Sequence, residues 1–224
     1  MIPDIHGCYI TLRYVVDTIL KPDRKDGIFF LGDFINKGPD SKKVLDYVMK
    51  LKKQGLDIHT IMGNHEKLLL NAINNPDRYD EFINKGGDST LRSFGVNHVN
   101  DIPDRYIYFM EELCYFIELK EYMIVHAGFN FTSEDPFTDY NSMLTIRNFP
   151  VDINRINHKT IIHGHNASTL KDILETVLNG KSSVKNLDNG CVYTEREGMG
   201  NLFVLNLTNM SFHIQPCIDR KYPI

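Results

Sequence analysis

The segment Ile28-Phe29-Phe30-Leu31-Gly32-Asp33 is an apolar run that ends in a glycine and a carboxylate. Two later runs end in the same way, because residues 123–125 precede His126 and residues 160–162 precede His163. Short apolar runs are typical of buried parallel strands, and α/β proteins bind ligands at the carboxyl ends of such strands. The sequence therefore predicts an α/β fold in which polar residues from several strands meet at one site.

Five short motifs carry the residues that we expect at this site, and each contains a side chain that can bind a metal ion. The motifs are Asp4-Ile5-His6-Gly7, Gly32-Asp33, Gly63-Asn64-His65-Glu66, His126-Ala127-Gly128 and His163-Gly164-His165. Carboxylate, imidazole and amide oxygen together suit a borderline divalent cation such as Mn²⁺, Fe²⁺ or Zn²⁺. Each motif alone has an ordinary explanation as a surface turn or a helix cap. Their joint occurrence favours a shared site for metal ions and phosphate.

Composition argues against several other classes of protein. The chain has 224 residues, which fits one domain, and its net charge of −4 gives no basic field for nucleic acid. No apolar run approaches the ~18 residues of a membrane span. Asp4 and His6 stand where a signal peptide would be apolar, so we expect neither a signal peptide nor a membrane partner.

The cysteines indicate a reducing compartment. They show no paired C-x-x-C spacing, so we expect free thiols in a cytoplasmic protein. The four residues are Cys8, Cys114, Cys191 and Cys217.

The first part of the chain alternates strands and helices. Amphipathic spacing predicts helices over about residues 11–20, 41–54 and 65–73, and apolar runs predict strands at 28–31 and 58–62. A strand should also precede Asp4, yet strands usually need ~5 residues and fewer stand there. Either this strand is abbreviated or the chain has lost its natural beginning.

The rest of the chain has a different pattern. Residues 76–121 mix charged and aromatic side chains, and we expect a helical insertion there, with a helix over 104–113, inside a single domain of residues 1–224. Alternating patterns separated by turn residues predict an antiparallel meander at the end. Its four strands are expected at 184–187, 191–194, 202–207 and 212–214.

The order of the motifs, written DIHG, GD-x-x-x-x-G, GNHE, HAG and GH, resembles that of the metallophosphoesterase superfamily. It is most similar to the phosphoprotein phosphatase branch, which includes bacterial Ser/Thr protein phosphatases and symmetrical diadenosine tetraphosphatases. The resemblance runs from Asp4 to about Phe212. It implies a β-sandwich of two mixed sheets flanked by helices, with a dinuclear metal site at the strand ends.

The resemblance also implies a role for each matching residue. Two divalent cations, Mn²⁺ with Fe or Zn as alternatives, would be held by Asp4, His6, Asp33, Asn64, His126 and His165. The first three would bind one ion, and Asp33 would bridge to the ion bound by the last three. His65 would be the general acid with Asn36 beside it, and Lys37 and Arg147 would bind the phosphate.

Two positions depart from the family pattern GD-x-x-D-R-G. Asn36 replaces an aspartate that orients and charges the catalytic histidine, and Lys37 replaces a phosphate-binding arginine. Lysine keeps the positive charge but cannot make the bidentate hydrogen bonds of a planar guanidinium. An asparagine can accept from an imidazole N–H, but it stabilises imidazolium less than a carboxylate does. We therefore expect a lower pKa for His65.

Three further features have smaller expected roles. Glu66 is expected to start a helix or to orient a ligand. Asp188-Asn189-Gly190-Cys191 resembles a family turn that lines the pocket, with a structural role. His163 has no assigned role.

The favoured interpretation is a metal-dependent phosphoester hydrolase, specifically a Ser/Thr-type phosphoprotein phosphatase that uses a metal-bridging hydroxide. Its partner would be a phosphorylated protein or a small phosphoester. One alternative is a symmetrical diadenosine tetraphosphate hydrolase, with aromatic residues of the insertion stacking on the bases. These residues are Phe82, Tyr106, Tyr108 and Phe109. The other alternative is a weakly active relative that binds phosphorylated partners, although retention of all the metal ligands argues against it.

Overall fold

A computed structural model describes residues 1–220. The first helix, Tyr9–Tyr14 (α1), continues as the π-helical segment Val15–Leu20 and leads to strand Gly27–Phe30 (β1). Helix Ser41–Lys53 (α2) returns the chain to strand Asp57–Thr60 (β2). The two strands pair in parallel, as a strand–helix–strand unit requires.

Helix α2 shows how the sequence pattern positions an element. Val44, Leu45, Val48 and Leu51 recur at helical spacing, and all four are buried. They belong to the same hydrophobic cluster as Phe30 of β1. The helix therefore covers the sheet that carries the first predicted site residues.

Helix Asn64–Asn74 (α3) begins at the third motif and is followed by a series of short helices. They are Pro76–Arg78 (3₁₀), Tyr79–Phe82 (α4), Ile83–Gly87 (π), Asp88–Phe94 (α5), Val99–Asp101 (3₁₀) and Asp104–Glu111 (α6). The predicted insertion is thus helical as far as Glu111. The prediction ran too far, because Phe116–Glu118 (β3) is a strand of the next sheet.

The aromatic residues of this region pack into the core. Phe82, Tyr106 and Phe109 are buried in the cluster around α2 and α3, whereas Tyr108 is exposed. Their helical spacing therefore reflects core packing, and the three buried rings do not provide a surface on which a nucleobase stacks.

The second sheet is mixed. Its order is β3, Tyr122–Val125 (β4), Thr160–His163 (β5) and Val184–Asn186 (β6). Strand β3 is antiparallel to β4, and the other pairs are parallel. Helix Tyr140–Thr145 (α7) lies between β4 and β5, and helix Leu170–Leu178 (α8) lies between β5 and β6.

The predicted four-stranded meander is wrong in two respects. Strand β6 runs parallel to β5, because α8 makes the crossover connection between them. Residues 191–194 form turns, and the N–H of Tyr193 bonds to the Gly190 carbonyl at 2.7 Å. The antiparallel pair is Asn201–Leu205 (β7) with Phe212–Pro216 (β8).

The first residues join the two small sheets into one layer. The N–H of Ile2 bonds to Phe29 O at 2.8 Å, and the N–H of Leu31 bonds to Ile2 O at 2.9 Å. On the other side, Met1 and Leu205 exchange backbone hydrogen bonds. The predicted α/β class, with helices flanking mixed sheets, is confirmed.

A second apolar cluster, besides the one around α2 and α3, lies between this layer and the mixed sheet. Leu31, Ile124, Ile162 and Phe203 come from both layers and form one buried cluster. Within residues 1–220, no helix has the combined length and apolar character that a bilayer crossing demands.

Candidate metal centre

The predicted site residues lie in loops at the carboxyl ends of four parallel strands. Asp33 follows β1, Asn64 follows β2, His126 directly follows β4, and His165 follows β5. Parallel strands bring these ends to one edge of each sheet, and the packed layers bring the two edges together.

Asp33 occupies the middle of the site. His6, Asp33 and His65 form one group of converging ligand atoms, and Asp33, His126 and His165 form another. Asp33 Oδ2 lies 3.4 Å from His6 Nε2, and Asp33 Oδ1 lies 3.5 Å from His126 Nε2. Its two oxygens therefore face different histidines, as they must in a carboxylate that bridges two cations.

Asn64 completes the second group. Its Oδ1 lies 3.0 Å from His126 Nε2 and 2.8 Å from His165 Nδ1. Two ligand atoms bound at ~2.1 Å to one octahedral cation lie about 3 Å apart. The spacing of these atoms therefore fits a single divalent cation.

The histidine tautomers also fit a metal. His6 Nδ1 lies 2.9 Å from the Ile35 carbonyl, and His126 Nδ1 lies 2.7 Å from the Leu31 carbonyl. Because a carbonyl only accepts, each Nδ1 carries a proton, so in the neutral ring Nε2 is the atom whose lone pair is available to a cation. Such hydrogen bonds fix the orientation of metal-binding histidines.

Lys37 points into the same site. Its Nζ donates to His6 Nε2 at 2.8 Å and lies 5.4 Å from the centre of the Tyr193 ring. A positive charge is thus already held against a predicted metal ligand. The sequence predicted a phosphate contact for Lys37, whereas the structure shows it bonded to His6.

The burial of these groups shifts their pKa values. Burial, followed by the charge of Lys37, places the pKa of His6 well below its usual value. Burial also lowers the pKa of His65 to about 4 and that of His165 to about 3. Burial alone would raise the pKa of Asp33, but the surrounding histidines and Lys37 outweigh it and lower that pKa. Metal ions bind neutral histidines and ionised carboxylates, and these pKa shifts favour both forms.

Two further carboxyl groups, those of Asp4 and Asp188, lie close to Asp33. Asp4 Oδ1 accepts from the backbone N–H of His165 at 3.0 Å. Burial, then the charges of Asp188 and Asp33, raise the pKa of Asp4 well above its usual value, and burial raises the pKa of Asp188 to about 6. The sequence predicted only a structural role for the turn that contains Asp188. The signal in the sequence was that Asp188 follows strand β6, as the other site residues follow their strands.

The site backbone is conformationally strained. Among residues 1–220, nine non-glycine residues have positive φ, and five of them are predicted site residues. They are His6 (47°), Asp33 (51°), Asn36 (70°), Lys37 (68°) and His165 (65°). Left-handed backbone is costly for such residues and concentrates at functional sites.

Two motif glycines leave room for carboxylates. A Cβ at Gly63 would collide with Asp33 Oδ1, and a Cβ at Gly164 would collide with Asp4 Oδ1. Glycine is therefore required at both positions by the close approach of a ligand oxygen.

Glu66 holds the Asp33 loop in place. Its buried carboxylate accepts from the N–H groups of Asp33 (2.9 Å), Phe34 (2.9 Å), Ile35 (3.2 Å) and Gly63 (3.0 Å). Glu66 lies in the first turn of α3, as expected, and its contacts fix the backbone that carries the predicted ligand Asp33.

The contact between Asn36 and His65 differs from the prediction. Asn36 Nδ2 lies 2.9 Å from His65 Nδ1, and Asn36 Oδ1 accepts from Thr90 Oγ1 at 2.6 Å. An amide nitrogen only donates, so His65 Nδ1 accepts and the ring is neutral with its proton on Nε2. The prediction that Asn36 accepts from the ring is wrong, because Thr90 already occupies its oxygen. The pKa of His65 does fall, with burial as the largest cause.

The remaining predicted residues lie at the edge of the centre or outside it. Arg147 is exposed, and its guanidinium donates to Asn166 Oδ1 at 3.0 Å, beside His165. His163 is buried with Nδ1 2.9 Å from the Gly164 carbonyl and belongs to neither group of converging ligands in residues 1–220.

Comparison with known proteins identifies one matching family model. It is described as calcineurin-like phosphoesterase and matches residues 1–197.

Curated relatives align over shorter stretches. A symmetrical bis(5'-nucleosyl)-tetraphosphatase from Wigglesworthia glossinidia brevipalpis is 42% identical over 90 residues, covering 38% of this chain and 32% of the relative. A relative of the same name from Nitrosospira multiformis is 29% identical over 132 residues, covering 56% of this chain and 41% of the relative. A zinc-dependent endopolyphosphatase from Saccharomyces cerevisiae is 38% identical over 106 residues, covering 45% of this chain and 29% of the relative. The chain thus spans between 29% and 41% of these relatives' length.

Solved structures align over nearly the whole chain. A putative diadenosine tetraphosphatase superposes with a TM-score of 0.67 at 22% identity, covering 96% of this chain and 91% of that one. A protein serine/threonine phosphatase from Saccharomyces cerevisiae superposes with a TM-score of 0.66 at 14% identity, covering 98% of this chain and 79% of that one. At these identities the likeness shows a common fold, which is the one the motifs predicted.

Asp33 and His126 should differ in their effect on metal content. Asp33→Asn should lower occupancy of both ions, because Asp33 faces both histidine groups, whereas His126→Ala should mainly remove the second ion. Elemental analysis after Mn²⁺ loading and desalting measures this, with the exposed turn variant His158→Asn as control. Full metal content in Asp33→Asn would contradict the bridging role.

Glu66→Gln should weaken the site without touching a ligand. The amide replaces one accepting oxygen with an NH₂ donor that faces backbone N–H groups, so we expect the unfolding free energy to fall by about 2–4 kcal/mol. Metal affinity should fall about 10–100-fold. Denaturant titration and Mn²⁺ titration check both, with the exposed helix variant Glu111→Gln as matched control. Unchanged metal affinity would show that the loop keeps its shape without Glu66.

Proposed function

Since the chain belongs to the calcineurin-like phosphoesterase family, we propose that it hydrolyses phosphoesters at the centre formed around Asp33. The observation that carries the proposal is the central position of this carboxylate between two groups of ligand atoms. Each of its oxygens faces the Nε2 of a histidine whose Nδ1 is bonded to a backbone carbonyl.

The donor set fits two divalent cations. Asp4, His6 and Asp33 would hold one, and Asp33 would share the other with the remaining predicted ligands, which are Asn64, His126 and His165. Oxygen and imidazole donors together favour Mn²⁺, with Fe or Zn as alternatives. When bound, these cations would supply Lewis acidity and positive charge to the phosphoryl group.

Lys37 and Arg147 are the proposed phosphate contacts. A cation at His6 would repel the Lys37 ammonium from its present place at His6 Nε2. The flexible lysine stem would then bring the charge to a bound phosphate. Arg147, beside the His165 loop, would contribute its guanidinium from the edge of the site.

His65 is the proposed proton donor to the leaving oxygen. Its Nε2 lies 3.9 Å from Asp33 Oδ2, so the ring edge faces the centre, and Asn36 fixes the ring from behind. Few molecules carry the protonated ring near neutral pH, because burial disfavours its charged form. Leaving groups that depart as stable anions therefore depend on it less than alkoxides do.

The first substrate candidate is the phosphomonoester of a protein serine or threonine, as the motifs predict. The serine/threonine phosphatase that shares the fold is consistent with it. The second candidate is the phosphoanhydride of a dinucleoside tetraphosphate. Two observations favour the second. The sequence relatives are symmetrical bis(5'-nucleosyl)-tetraphosphatases, and a phosphate leaving group needs less help from His65, which is rarely protonated near neutral pH. A non-catalytic phosphate binder would have no need to keep all six predicted metal ligands.

A substrate panel with Mn²⁺ tests the proposed reaction. We expect turnover of an aryl phosphate and, more slowly, of a phosphoserine peptide, with Asp33→Asn inactive on both. Diadenosine tetraphosphate is the third substrate, and two molecules of ADP as the sole product would mark symmetrical cleavage. A kcat/KM for it that exceeds the phosphopeptide value by orders of magnitude would assign the second candidate. No turnover of any substrate by the metal-loaded protein would refute the hydrolase.

Asn36→Asp tests the role of His65. A carboxylate would accept from a protonated Nδ1 and raise the pKa of His65, so more molecules would carry the catalytic proton near neutral pH. Phosphoserine turnover should rise roughly tenfold, a partial gain from a positioned acid. The alkaline limb of the pH–rate profile should move to higher pH.

The aryl phosphate provides the internal control for this variant. Its leaving group needs little protonation, so its turnover should change much less. Equal changes on both substrates with an unmoved pH profile would mean that position 36 does not act through His65.

A further inference from the structure

Three cysteines from distant parts of the chain meet outside the centre around Asp33. Cys8 caps the start of α1, Cys191 lies in the loop after β6, and Cys217 directly follows β8. All are free thiols, and their Sγ atoms lie within 4.8 Å of one another. We refer to Cys8, Cys191 and Cys217 as the thiol cluster. No local spacing in the sequence reveals it, because only the fold brings the residues together.

The distances in the thiol cluster fit a metal better than a disulfide. Cys217 Sγ lies 3.8 Å from Cys8 Sγ, whereas a disulfide needs about 2.05 Å. Two thiolates bound at ~2.3 Å to one tetrahedral cation lie about 3.8 Å apart. A disulfide would also leave the third thiol without a role, whereas three thiols occupy three corners of a tetrahedron.

The surroundings of the thiol cluster are closed on one side and open on the other. Cys8 and Cys191 are 1% and 2% exposed, while Cys217 is partly exposed. Near Cys217, the Thr11 hydroxyl lies 3.7 Å from its Sγ and donates to the Asp219 carboxylate at 2.6 Å. A cation could therefore enter past Cys217, where a carboxylate supplies negative charge.

We propose that the thiol cluster is a second metal site, which takes one thiophilic divalent cation such as Zn²⁺ or Cd²⁺. Its sulfur donors distinguish it from the oxygen and nitrogen donors around Asp33. Binding would deprotonate the thiols and tie the segment after β8 to the loop that carries His6. The site does not depend on the proposed hydrolase activity.

Thiolate-to-metal charge-transfer absorption tests the proposal on the reduced, full chain. Titration with Co²⁺ or Cd²⁺ should produce this absorption and saturate at one equivalent. The centre around Asp33 has no sulfur ligand and stays silent. Cys217→Ser should abolish the absorption, and the exposed Cys114→Ser should leave it unchanged. No absorption in the unaltered chain, or its full retention in Cys217→Ser, would overturn the proposal.

Thiol protection gives a measurement that needs no variant. Zn²⁺ should slow labelling of the partly exposed Cys217 by a thiol-modifying reagent, the exposed Cys114 should label equally in both states, and a chelator should restore Cys217 labelling. Equal labelling of Cys217 with and without Zn²⁺ would overturn the site. Air oxidation of the thiol cluster to a disulfide in a protein that shows no Zn²⁺ protection when reduced would assign redox chemistry in its place.

Discussion

The buried carboxylate of Asp33 is the constraint on which the rest of the site depends. An ionised group removed from water costs several kcal/mol unless charges and hydrogen bonds compensate. Here the backbone N–H of His65 donates to Oδ1 at 3.1 Å, and Lys37 adds a nearby positive charge. His6 and His126 flank the two oxygens, where cations would add further charge. Glu66 in turn binds the backbone on both sides of the residue. The left-handed backbone conformation of Asp33 persists because these hydrogen bonds fix both its backbone and its side chain.

The two-layer architecture explains why these contacts can form at all. Strands β1 and β2 belong to one layer and β4 and β5 to the other, and each ends at the edge where the layers meet. A loop from one strand alone offers one or two ligands, whereas the meeting of four loop ends offers a full set. The hydrogen bonds of Met1 and Ile2 to Leu205, Phe29 and Leu31 keep the first layer continuous, so the loop that carries Asp4 and His6 starts from a fixed point.

The sequence was sufficient for features that depend on local pattern. The apolar runs predicted β1, β4 and β5, and the helical spacing predicted α2. Both predictions succeed because the spacing of apolar residues along the chain depends on which side of an element is buried. The sequence was insufficient where partners are distant. The crossover through α8 made β6 parallel, and Thr90, remote in sequence from Asn36, decided which side of the Asn36 amide faces His65. The thiol cluster was invisible for the same reason.

The loop from Asp4 to Cys8 connects the two sites of the molecule. Gly7 has φ of 71°, and a Cβ there would lie 3.0 Å from the Gly38 backbone, so the loop passes tightly against the segment that carries Lys37. The N–H of Gly7 bonds to Phe34 O at 2.9 Å, and the N–H of Asp40 bonds to Gly7 O at 3.0 Å. Such a loop has little freedom to move one end independently of the other. A cation held by Cys8 would therefore restrict His6, and ordering of a ligand before its metal arrives reduces the entropy that metal binding must overcome.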